Sequence, residues 1–136
     1  MYENLGLKEL KVYQKAYDFH AWSSALVSRL ARIHKYSLGV ELEKTIIHLI
    51  SSIIRAYYCT TKEKIDMLCE CLVTLEIIQI YIRMGYEARS SGGISAKNYE
   101  TASQKIDELR KMIFAWKKSS ITREPLERVQ TDSRGG

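Results

Sequence analysis

Glu76 stands inside the most apolar stretch of the chain, "LVTLEIIQIYIRMGY" at 72 to 86, and a carboxylate held among aliphatic side chains is the kind of group from which acid-base catalysis is built. No candidate base accompanies it. Arg83 follows seven residues later, two helical turns along the same face, so the two read as members of ion pairs with neighbouring helices. The three histidines, His20, His34 and His48, fall one per segment, and none has a second His or Cys at the i+3 or i+4 spacing that converges on a metal. Cys69 and Cys71 would diverge by roughly 200° on a helix of 3.6 residues per turn, so they read as packing residues. The Glu-x-x-His pairs of di-iron bundles are missing. "SSGGIS" at 90 to 95 lacks the Lys-Ser/Thr of a phosphate-binding loop, and no nucleophile elbow or kinase signature is present. The expected protein is therefore not an enzyme, and it holds neither a metal nor a cofactor.

What remains is positive charge. Lys and Arg outnumber Asp and Glu by 21 to 16 in 136 residues, a formal +5 that suits a polyanionic partner. Lys44, His48 and Arg55 fall on one side of a single helical segment and form the sharpest candidate for a nucleic-acid-binding stripe; Arg83, Arg110, Lys117 and Lys118 are further candidates. Repetition of +5 around an oligomer would build a field that attracts nucleic-acid backbone without reading bases.

Four helices must position these groups. From Lys8 to about Ile33, Val12, Ala16, Phe19, Leu26, Leu30 and Ile33 recur at helical spacing, with Tyr13 and Tyr17 on a flank. "HKYSLG" at 34 to 39 reads as a hairpin, with Gly39 relieving the turn and Ser37 capping the next helix. That helix, Val40 to about Tyr58, aligns Leu42, Ile46, Leu49, Ile50, Ile53 and Tyr57. Thr60 or Thr61, with Glu63 completing a capping box, opens a third helix. This helix has a core row of Leu68, Leu72, Leu75, Ile82 and Tyr86 and a second apolar row of Val73, Ile77, Ile80 and Met84. A helix apolar nearly all round must be covered by more than its own bundle. Gly92 and Gly93 mark a loop, Ser95 a cap, and Tyr99, Ala102, Ile106, Leu109, Ile113 and Trp116 a fourth helix.

These segments predict an all-α, up-down-up-down antiparallel four-helix bundle over residues 1–120, followed by a disordered polar tail over 121–136. The surplus apolar surface predicts a closed homo-oligomer. The longest apolar run is broken by Glu76, Gln79 and Arg83, which excludes a membrane span, and an odd set of three cysteines without a signal segment points to the cytoplasm.

The order of these features resembles a known family. "VYQKAYDFHAWSSALVSRLARIHKYSLGVELEKTIIHLI", "LEIIQIYIRMGYEAR" and "IDELRKMIFAWKKS", together spanning roughly residues 10 to 118, are similar to the accessory variability determinant proteins of diversity-generating retroelements. The resemblance implies a homopentameric barrel of four-helix bundles that binds structured RNA or DNA through a basic surface and associates with the element's reverse transcriptase in mutagenic retrohoming. It maps onto Arg83 and the Lys117-Lys118 run, while Gln79 stands where relatives can carry another arginine. The four-helix proteins encoded in 23S ribosomal RNA intervening sequences share the "YQKA" and "YSLGVELEKT" features, but "SSIIRAYYCTTKEK" departs from their second-helix ending, and that family ranks second. A helical adaptor that binds a protein helix, with charge only for solubility, is the alternative that needs no nucleic acid.

Overall fold

The computed structural model describes residue 6 and residues 10–135, with side chains described as far as Ile121. It contains four long helices: α1 (Lys11–Ser28), α2 (Val40–Tyr58), α3 (Thr61–Glu87) and α4 (Ala96–Gly135). No strand occurs among the described residues. Of the expected polar tail, the side chains of residues 122–136 lie outside those described.

Cross-helix pairs fix the directions. Lys15 meets Glu108 while Trp22, further along α1, meets Lys105, so α1 and α4 run antiparallel. His48 meets Glu70, and Lys44 lies beside Ile77 and Tyr81, which sets α2 antiparallel to α3. Glu76 with Arg110 and Tyr86 with Tyr99 do the same for α3 and α4. The result is the up-down-up-down order expected when short connections join helices that each bury one stripe.

The buried stripes are close to those read from spacing. On α2, Leu42, Ile46, Leu49 and Ile53 are buried, and on α4, Ala102, Ile106, Leu109 and Ile113 are. Each fully buried aliphatic side chain contributes roughly 1.5–3 kcal/mol, enough to override the modest helix preference of the many isoleucines. On α3 the core row is Leu68, Cys71, Leu75, Ile78 and Ile82; Leu72 and Tyr86 are only half-buried. The second row, Val73, Ile77, Ile80 and Met84, points away from the core and is 40% to 56% exposed.

The first connection departs from expectation. Helix α1 stops at Ser28 rather than near Ile33, because the Ala31 amide leaves the helix to donate to the Gly92 carbonyl at 2.9 Å, and Ile33 is turned into solvent. A short turn at Arg32–His34 then passes into a π-helical turn, Lys35–Gly39, that runs without interruption into α2. Gly39 is helical, with φ −62°, so it does not relieve a reversal. It is buried instead: a Cβ there would stand 2.7 Å from Val27 Cγ1, so the missing side chain permits close approach to α1. The Ser37 hydroxyl donates back to the Ile33 carbonyl at 2.7 Å and caps nothing.

Of the other caps, Ser95 behaves as expected, its hydroxyl accepting from the Asn98 amide at 3.2 Å. Thr60 occupies the N-cap of α3 in extended conformation, but its side chain makes no capping hydrogen bond. Gly92, at φ +90°, takes the left-handed turn that returns the chain from α3, and the Ile94 amide then donates to the Gly85 carbonyl at 2.8 Å.

Candidate nucleic-acid interface

Lys44, His48 and Arg55 lie on one side of α2 at offsets of four and eleven residues, and all three are exposed. Lys44 is the ridge between two shallow clefts. One, of about 350 Å³, is lined by His20, Val40, Glu43 and Ile47 beside Lys44. The other, of about 400 Å³, runs between α2 and α3 past Thr45, His48, Glu70, Thr74, Ile77 and Tyr81. The His48 Nε2 atom is 3.7 Å from Glu70 Oε2, so a carboxylate at the cleft wall offsets part of the imidazole's usefulness to an anion. Lys44 and Arg55 have no carboxylate within ion-pair distance among the described residues, which leaves their charge available.

The remaining candidates are not equivalent. Arg110 bridges α4 to α3: its Nε donates to Glu76 Oε1 at 3.1 Å, its Nη2 lies 3.0 Å from the same oxygen, and its Nη1 is held by Asp107. Two carboxylates on one guanidinium leave a local net charge of −1. Glu76, expected inside an apolar environment, is thus a mostly exposed ion-pair partner and not a desolvated acid. Arg83 pairs with Glu87 one turn along α3 itself, at 3.4 Å, rather than with a neighbouring helix.

Lys117 and Lys118 flank a cleft of about 370 Å³ with Phe114 and Ile121. That cleft lies toward the start of α3, where Lys64 Nζ sits 6.0 Å from the Trp116 ring centre. The seven candidates therefore do not form one patch. Lys44 and His48 adjoin one another; Arg55 and the Lys117-Lys118 pair share an end of the bundle on different helices; Arg83 and Arg110 are held by carboxylates. The spacing rules find residues on one helix, but the carboxylates that neutralise Arg110 come from another turn and another helix, beyond any single-helix pattern.

Among the described residues two titratable groups depart from their ordinary values. Burial, aided by the negative charge of Glu70, pushes the Cys71 thiol up to about 12, which makes it inert as a nucleophile at neutral pH. The Lys15 hydrogen bond at 2.6 Å, with its charge, holds the Glu108 carboxyl below the usual range. Among the described residues no group of three His, Cys, Asp or Glu side chains is placed to hold a metal ion, and no helix is long and apolar enough to cross a membrane.

An antiparallel four-helix bundle carrying solvent-facing cations along α2 defines the class of protein. Within that class, the chain matches the bAvd-like family model over residues 10–120, and it belongs to that family of bacterial accessory variability determinants. Neither the curated proteins nor the solved structures contain a match.

Proposed function

We propose that this protein is the non-catalytic accessory subunit of a diversity-generating retroelement. It binds the element's reverse transcriptase and the template-repeat RNA or its cDNA, and so supports mutagenic retrohoming in the cytoplasm. The observation that carries this reading is the family match over residues 10–120. Two features of the chain support it. Among the described residues Lys44 and Arg55 keep their charges free of carboxylates, as phosphate contacts require. The row Val73, Ile77, Ile80 and Met84 on α3 is a contiguous apolar face of the kind that a second copy covers, in keeping with a homo-oligomer, which the family resemblance makes a pentamer.

The test joins mass and binding. Light scattering should give a single closed oligomer, and fluorescence anisotropy should show binding of template-repeat RNA that weakens steeply with salt. Co-purification with the element's reverse transcriptase should survive nuclease treatment. A monomer that binds no RNA at low salt defeats the proposal. Retained partner binding after charge reversal at Lys44, Arg55 and Arg83, with no RNA affinity in any variant, favours a helical adaptor instead.

A further inference from the structure

The loop-bearing end of the bundle, opposite the α2-to-α3 turn, was not among the surfaces picked out by helical spacing. It is built from residues 29–40 and 88–99. Together these segments carry Arg29, Arg32, His34, Lys35, Arg89 and Lys97 and not one Asp or Glu. The two segments are tied to each other. The Ala31 amide donates to the Gly92 carbonyl at 2.9 Å, and His34 Nε2 and Ser91 Oγ are 2.9 Å apart. Since the Ser91 hydroxyl donates to the Ala88 carbonyl at 3.0 Å, it accepts from His34, and the imidazole is held as a donor.

On this fixed base stand two flat surfaces. Tyr36 is 66% exposed, and beside it Ile33 is 73% exposed. Arg32 Cζ and Lys35 Nζ lie 5.9 and 5.8 Å from the Tyr36 ring centre, near enough to place positive charge around the ring and too far to cover it as a stacked group would. The second surface is a column. Tyr99 and Tyr86 stack at 4.5 Å with an interplanar angle of 24°, and the Arg89 guanidinium lies 4.2 Å from the Tyr86 ring centre while donating to the Tyr86 carbonyl at 3.0 Å. Arg89 is exposed, so the column ends at solvent in a planar cation.

We propose that this end is a binding site for unpaired nucleobases of single-stranded nucleic acid, with Tyr36 and the Arg89 face as stacking platforms and Arg32, Lys35 and Arg29 as phosphate contacts. The inference rests on the nucleic-acid reading above and adds to it where single strands engage and by which groups. Base faces are hidden inside a duplex, so the two platforms serve only a strand whose bases are splayed out. A protein helix would need a continuous apolar groove, whereas here the Tyr36 and Tyr86 rings each have a cation within about 6 Å. An anionic lipid surface would use Ile33, Tyr36 and the cations but would have no use for a guanidinium stacked on a two-tyrosine column.

The experiment compares a fluorescein-labelled 12-mer of oligouridylate with a blunt 12-base-pair RNA duplex by anisotropy, using the full chain. Tyr36→Ala should weaken strand binding by about 5- to 150-fold, the span for stacking one base on an aromatic ring, with duplex binding changed less than twofold; Tyr36→Trp should retain the affinity. Arg32→Ser with Lys35→Ser should lower the salt slope for the strand by about 1.4, at about 0.7 per phosphate contact. Tyr36 is a surface residue, so circular dichroism of the variants should match the parent. Equal loss on strand and duplex, or unchanged strand affinity in Tyr36→Ala, overturns this site and leaves the general nucleic-acid reading standing. A parent protein that binds neither probe overturns both. Tyr36-dependent binding to phosphatidylserine vesicles, with strand affinity unaltered, reassigns the surface to lipid and overturns it as well.

Discussion

Replacing Arg110 with serine should leave nucleic-acid binding nearly as it was, while replacing Lys44 and Arg55 should not. The contrast follows from charge accounting at each site. Arg110 is held by Glu76 and Asp107, two negative groups on one positive, so no phosphate needs its charge and no counterion is released there. Lys44 and Arg55 have no such partners among the described residues. Each cation that neutralises a phosphate adds about 0.7 to 0.9 to the slope of log K against log salt, depending on whether the nucleic acid is single- or double-stranded. Lys44→Ser with Arg55→Ser should therefore flatten the slope by about 1.4 to 1.8. Between 50 and 200 mM salt the parent would then lose roughly 7- to 12-fold more affinity than the double variant. Arg110→Ser should keep the parent slope and cost only about 1 kcal/mol of stability, because both of its carboxylate partners are mostly exposed and well solvated. Anisotropy titrations at four salt concentrations, with thermal denaturation alongside, measure both quantities. An Arg110→Ser slope as flat as that of the Lys44 and Arg55 variant refutes the reasoning, as does a double variant with the parent slope.

Ile77→Glu or Ile80→Glu should convert the expected oligomer to monomers in light scattering with unchanged helical content, since both side chains lie on the outer face of α3; an intact oligomer would place the interface elsewhere. Native protein treated with iodoacetamide at pH 8 should be modified at Cys59 and Cys69 and spared at Cys71, as peptide mass spectrometry will show. The same thiol links stability to alkaline pH. Its folded value, about 12, exceeds the ordinary 9.0, so its contribution is full below pH 9 and falls between 9 and 12 as the unfolded chain ionises first, measurable as a drop in Tm. Ser23 is buried with its hydroxyl lacking a hydrogen-bond partner among the described residues, so Ser23→Ala should stabilise the fold by about 1 kcal/mol in urea titrations.

The bundle was legible because its core rows are local patterns. Leu42, Ile46, Leu49 and Ile53, or Ala102, Ile106, Leu109 and Ile113, need only 3.6-residue periodicity to be found. The outer row on α3 was equally legible, since a helix with two apolar faces announces itself in one dimension. Ile78 and Ile94 were not picked out as core, because one isoleucine in a run of several and a residue in a glycine loop acquire burial only from their neighbours. The end of α1 was misplaced for a similar reason. Leu30 and Ile33 continue the apolar period, but a backbone bond from Ala31 to Gly92, far along the chain, decides where the helix stops. Charge was the least legible feature. The sequence names every cation, yet whether Arg83 and Arg110 are available depends on Glu87, Asp107 and Glu76.

The π-helical turn at Lys35–Gly39 also makes the chain's length at this point a variable with a readable effect. A π turn is what an α-helix becomes when it accommodates one residue too many, so deleting a single residue between Tyr36 and Leu38 would relax the segment to ordinary α geometry without detaching α2 from its start. The residues on either side of the deletion would keep nearly their present phase around the axis, because a π turn spends about one more residue on a full turn than an α turn does. Tyr36 would keep its place beside Arg32 and Lys35 while Lys44 and Arg55 stayed where they are, so this turn can lose a residue with both surfaces intact, where the same loss from an ordinary α turn would swing one surface past the other.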